Sequence, residues 1–126
     1  MSYESKLYIV DKHYYQQGNC KCWGQVIAIF DLSSFVPVSD FMRKCPVTDA
    51  VIYADDGSTK ILEDCYAQPL TECNIENLIP ILREETKDTT FHGQPYRRIK
   101  PLLSMLEMFA ANASQWENIK ILHYGY

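Results

Sequence analysis

Three groups of side chains in this sequence could carry chemistry: thiols, a cluster of carboxylates and a basic aromatic run. Cys20 and Cys22 form a Cys-x-Cys pair downstream of His13, and on a strand two residues so spaced face the same side. A structural zinc site presents two ligand pairs, whereas Cys45, Cys65 and Cys73 are scattered singly. The reading is five reduced thiols, no metal and no cofactor. A cysteine nucleophile needs a histidine base and a group to orient that base. His13, His92 and His123 fall in different elements with no local signature around any cysteine, so no catalytic residue is assigned.

The carboxylates Asp49, Asp55, Asp56, Glu63 and Asp64 are opposed within their window only by Lys60. Such a group could hold Mg²⁺ or imitate nucleic-acid phosphates toward a basic partner groove. It is equally what a solvated hairpin tip looks like, since Asp and Gly favour turns. Asp55 and Asp56 are the partner-binding candidates here.

The third group is Phe91-His92-Gly93-Gln94-Pro95-Tyr96-Arg97-Arg98-Ile99-Lys100. If it is a loop delivering Tyr96, Arg97, Arg98 and Lys100 to the start of a helix at Pro101, guanidinium forks and free backbone N–H groups could converge on a phosphate or carboxylate. No Gly-x-x-x-x-Gly-Lys pattern accompanies it, so it is not a P-loop. A plain solvated loop offsetting Glu84 and Glu85 fits the same residues.

The elements that must position these groups follow from periodicity and punctuation. Lys6 to Tyr15 and Cys22 to Leu32 read as strands joined through Gln16-Gln17-Gly18-Asn19, an antiparallel hairpin. The run Val26 to Phe30, apolar on both faces, is expected inside the sheet. Ser33 to Pro46 holds a short helix with Pro37 near its start, and Ala50 to Ala54 and Lys60 to Tyr66 form a second hairpin around Gly57. A helix starting near Asn77 is expected, with Pro80 in its first turn; the alternative, a start at Thr71 or Asn74, would put Pro80 inside it. Pro101 opens the main helix, with Leu102, Leu106, Phe109 and Ala113 on its buried face, and a strand from Ile119 closes the chain. The result is one α+β domain over residues 1–126, a five-stranded, mainly antiparallel sheet with about three helices in the order ββαββααβ.

Composition narrows the function classes. The chain has 126 residues, 47% of them apolar, and a net charge of −4 spread evenly over its two halves. Without a basic face, direct nucleic-acid binding is not expected, because phosphate binding needs a clustered positive footprint. The first residues carry no secretory pattern and no segment is long and apolar enough for a bilayer. With reduced thiols, a cytoplasmic setting and no membrane association are expected.

The acidic hairpin at Asp55 and Asp56, the nine tyrosines and the lack of an enzyme motif together resemble, over the whole chain, the small anti-defence proteins of phages and mobile elements, including anti-CRISPR inhibitors. The resemblance transfers no residue roles. It implies a non-enzymatic cytoplasmic interaction protein that inhibits a host defence complex, such as a CRISPR-Cas nuclease, by binding a protein or nucleoprotein partner. A small-ligand protein that binds or sequesters an anionic nucleotide is the alternative, and a small metal- or thiol-dependent enzyme a further one.

Overall fold

The computed structural model describes residues 4–14, 22–33, 36–54, 56–86 and 94–126, excepting the side chains of 14, 33 and 94–98. The element order is β1 (Ser5–Tyr14), β2 (Cys22–Ser33), α1 (Val36–Arg43), β3 (Ala50–Tyr53), β4 (Lys60–Ile61), β5 (Thr71–Asn74), α2 (Ile75–Glu85), α3 (Gln94–Ala111) and β6 (Ile119–Gly125). The fold is α+β as expected, with six strands rather than five, in the order β4-β3-β2-β1-β6-β5. All neighbours are antiparallel except β2 and β3.

Sheet faces follow from alternation. Along β1, Leu7 and Ile9 join the helices in one core, while Tyr8 and Val10 enter a second cluster with Cys22, Ala50, Ile52, Leu70 and Leu122. The register of β2 slips between Ile9/Ala28 and Val10/Val26, leaving Ile27 as the extra residue of a bulge. The bulge lets Ala28 and Phe30 pack with the helices while Val26 packs in the second cluster.

The sheet curls until its two ends meet. Thr48 N–H donates to the Leu70 carbonyl (2.9 Å) and Glu72 N–H to the Pro46 carbonyl (2.9 Å), so the segment leading into β3 bonds to β5. The second cluster is the lining of this curl. Gly24 lets the strands approach closely there: a Cβ on it would lie 3.0 Å from Ile52 Cγ2 and 3.2 Å from Val10 Cβ, so those neighbours would have to give by a few tenths of an ångström.

Four expectations are corrected. First, β5 is an additional strand. Second, β4 stops at Ile61 instead of reaching Tyr66, because the Asp64 carboxylate builds a turn, accepting from Tyr66 N–H at 2.8 Å and Gln68 N–H at 3.1 Å. Third, α2 starts at Ile75 and α3 at Gln94, so Pro80 and Pro101 lie inside helices. Each leaves one carbonyl four residues back without its helical donor. Packing compensates: Leu78, Leu82, Ile99, Leu102, Leu106 and Phe109 are all in the core.

Fourth, β2 lies between β3 and β1 in the strand order, but among the described residues it has this second neighbour only at Cys22 and Trp23. Its Val26–Phe30 run, expected to be central, pairs with β1 alone among the described residues. An apolar run reports burial on its faces but not whether its hydrogen-bonding edge is occupied.

Candidate functional site

The residues singled out from sequence do not converge. Asp55 lies outside the described residues. Asp56 is exposed and folds onto its own turn, accepting from Ser58 N–H (2.9 Å), Thr59 N–H (2.8 Å) and the Thr59 hydroxyl. The Thr59 hydroxyl, then the Thr59 and Ser58 amides, hold its carboxyl down at about 2. With Gly57 at a φ of 76°, this is Asx-type turn chemistry. Tyr96, Arg97 and Arg98 occupy helical positions within α3 instead of a loop before Pro101. Their side chains are not described. Lys100 is exposed further along the same helix.

The structure assembles a different set of groups from residues far apart in sequence. Lys12 points into the curl, only 5% exposed, and forms ion pairs with Asp49 and with Glu72 (2.9 Å). Thr48 donates its hydroxyl to the same Glu72 oxygen at 2.7 Å. Burial alone would lower the Lys12 pKa; hydrogen bonds to Asp49 and Glu72 and their charges outweigh it and raise it above the ordinary value. The hydrogen bond from Lys12 holds the Asp49 carboxyl below its usual range. Beside them burial pushes the Cys22 thiol up to about 11, against the pull of Lys12. This charged group ties β1 to both segments that close the curl.

A cleft of about 580 Å³ opens between the end of α1, the Asp64 turn and the β5–β6 pair. Arg43, Asp64, Tyr66, Gln68, Thr71 and His123 supply its polar groups, and Cys45, Val47 and Pro69 its apolar wall. The Thr71 hydroxyl oxygen is buried there without a hydrogen-bond partner. His123 Nε2 and the Ser5 hydroxyl share a hydrogen bond across 3.0 Å. A serine and histidine at this distance have the geometry of a nucleophile and its base, but Ser5 is completely buried and no substrate carbonyl can approach it.

Burial holds the His123 imidazole down at about 4, with Asp64 pulling upward and Arg43 pushing down. Because the folded value lies below the unfolded one, near 6.5, the neutral histidine's contribution is fully present above that value and lost as pH falls through the folded one. Acidification from about pH 7 to about pH 4 should therefore cost about 3 kcal/mol through this residue alone. Urea unfolding of the wild type and His123→Gln at both pH values checks this. The variant should lose about that much less, and equal losses would remove His123 as the cause.

Burial also raises the Cys45 and Cys73 thiols above their ordinary range. Cys22, Cys45, Cys65 and Cys73 are unbridged. No group of three or more His, Cys, Asp or Glu with metal-binding spacing occurs among the described residues, and no helix among them is long and apolar enough to cross a membrane.

The third feature is the far edge of β2. Gln25, Ile27, Ile29 and Asp31 are exposed along it, with Ile27 at 41% and Ile29 at 50%. Among the described residues nothing pairs with this stretch apart from β1.

These features define a small α+β domain with a curled, mixed six-stranded sheet. Comparison with protein-family models, with curated proteins and with solved structures finds no match.

Proposed function

We propose that this domain acts by binding a protein partner, not by catalysis, and that the partner adds an extended segment to the outer edge of β2. The observation that carries the reading is that edge: a long strand with exposed Ile27 and Ile29 and no second neighbour along Gln25–Asp31 among the described residues. Unpaired N–H and C=O groups on an apolar strand are a template for another strand, and natural proteins normally blunt them with lysine, proline or a covering element. Along Gln25–Asp31 there is no lysine or proline; the bulge at Ile27 and the charge of Asp31 are the blunting devices found among the described residues. Strand addition uses main-chain hydrogen bonds for affinity and alternate side chains for specificity.

The resemblance to anti-defence inhibitors names the first partner class to test, a host CRISPR-Cas nuclease or a related defence complex, with inhibition following from occupation of its assembly or nucleic-acid surface. The acidic hairpin is a weaker candidate contact than the β2 edge, since Asp56 spends its carboxylate on its own turn.

The test is capture of a defined nuclease complex, and inhibition of its DNA cleavage, by the wild type and by Ile27→Lys/Ile29→Lys. Both positions are exposed, so the double variant should keep its stability within about 0.5 kcal/mol per site. Binding and inhibition should fall together by ten-fold or more, about 1.4 kcal/mol or greater. A partner held equally by both proteins would move the interface away from β2.

A further inference from the structure

We infer that Cys45 and Cys73 form a site of reversible oxidation, a pair of thiols that closes to a disulfide and clamps the segment leading into β3 to β5. The inference is independent of the partner-binding reading.

Register brings the pair together. Val47 faces Thr71 across an antiparallel bridge. The bonds on either side of it run from Thr48 N–H to the Leu70 carbonyl and from Glu72 N–H to the Pro46 carbonyl, both 2.9 Å, which makes Val47–Thr71 a non-hydrogen-bonded pair. Cys45 and Cys73 are the next residues beyond the Pro46–Glu72 bond. Carried on past that bond, the register sets Cys45 opposite Cys73, again at a non-hydrogen-bonded position. Cα atoms of such a pair are about 4.5 Å apart, and a disulfide spans roughly 4.4 to 6.8 Å. Both thiols lie on the helix side of the sheet: Cys73 is in the core there and Cys45 packs against it. A charge on Cys45 also raises the Cys73 thiol, as a close group of like charge does. Cys45 Sγ donates to the Phe41 carbonyl at 3.4 Å, a weak bond that bridging replaces.

Access orders the chemistry. Cys45 is half-buried and lines the cleft beside α1, whereas Cys73 is 5% exposed. A low-molecular-weight disulfide such as oxidised glutathione therefore meets Cys45 first. The Cys45 thiolate, its proton released to water, attacks one glutathione sulfur; a bond forms between the two, and the glutathione S–S bond breaks to release one thiolate. The Cys73 thiolate, its proton also released, then attacks the Cys45 sulfur, forming the Cys45–Cys73 bond and expelling the second glutathione thiolate. Two protein thiols are oxidised and one small disulfide is reduced to two thiols. Burial raises both cysteines, so the exchange is slow at neutral pH and quickens about ten-fold per pH unit.

The test is incubation of the whole native chain with oxidised glutathione at about pH 8, close to the range of free thiols. Remaining thiols are then alkylated and the peptides mapped after trypsin and a glutamate-specific protease, which cuts at Glu72 and so separates Cys65 from Cys73. A linked Cys45–Cys73 peptide should appear, with two thiols lost, the native amide NMR spectrum retained and full reversal by dithiothreitol. The bridge should raise the urea midpoint by roughly 1 to 2 M, from the usual disulfide stabilisation and urea slope. Cys65→Ser, at an exposed position, should keep the link, and Cys45→Ser should lose it. Mapping of the wild type needs no variant. A bridge from either residue to another cysteine, a glutathione adduct left on Cys45 with Cys73 unreacted, or a link formed only with loss of the native spectrum would each overturn the inference. So would a chain with all its thiols still free after the same treatment, or a bridged form no more resistant to urea than the reduced one.

Discussion

Replacing Lys12 by methionine should destabilise the domain by about 3 kcal/mol, the lower end of the range for removing one partner of a buried ion pair. The ammonium is 5% exposed and holds two carboxylates. Asp49, 53% exposed, can rehydrate when Lys12 is lost; Glu72, 20% exposed, cannot do so fully and keeps only the Thr48 hydroxyl. Desolvation of Glu72 therefore dominates the cost. The companion change Glu72→Gln in the Lys12→Met background should recover part of it, because the uncompensated charge is then gone, and a double-mutant cycle from urea unfolding measures the coupling. The pH sign is fixed by the two shifts. Lys12 is raised, so its contribution is complete below the ordinary lysine range and lost as pH rises through the folded value. Asp49 is lowered, so its contribution is complete above the ordinary carboxylate range and lost as pH falls through its folded value. Additive single and double variants would mean that the three groups act separately.

Leu106→Ala should cost about 2 to 5 kcal/mol, the range for truncating a buried leucine. Leu106 has no solvent exposure and sits in the helix-side core with Leu7, Ile9, Leu82, Leu102 and Phe109. That core joins α3 to α2 and to β1, so a cavity there is lined from three elements and collapses poorly. Met108, on the same helix but 45% exposed, is the control: Met108→Ala should change stability by less than about 0.5 kcal/mol. Similar losses at the two positions would show that α3 does not bury the Leu106 face.

The sequence made the face of α3 legible through Leu102, Leu106 and Phe109, which are buried in the helix-side core as expected, whereas Ala113, expected on the same face, lies past the end of α3 at Ala111 and is exposed. The first hairpin was legible too, with Ser5–Tyr14 and Cys22–Ser33 paired antiparallel as expected, and so was the Asp56-Gly57 turn. The prolines misled in both later helices. Pro80 and Pro101 each fit a first turn, and only tertiary packing of Leu78 and Ile99 on the core side decides that the helices start earlier. β5 was missed because Thr71-Glu72-Cys73-Asn74 has one buried apolar residue, Cys73, and runs directly into the apolar pattern of α2.

The site was far less legible than the fold. Lys12 within a strand reads as an outward-facing charge until the curl brings Asp49 and Glu72 to it. Thr71 and the Ser5–His123 pair carry no local signature at all, since their meaning depends on contacts across 118 positions in the latter case. The exposure of the Ile27–Ile29 edge was concealed for a physical reason: a run apolar on both faces is the usual mark of a central strand, and the bulge that splits its faces cannot be seen in the residue types.

The partner-binding account is tested most directly by amide hydrogen exchange, resolved by NMR, on the free domain and on its complex with a captured defence nuclease. Strand addition predicts that alternate amides along Gln25–Asp31 exchange quickly in the free protein and become protected in the complex, with β6 amides unchanged. Protection appearing elsewhere, with the β2 edge exchanging as in the free protein, would contradict it.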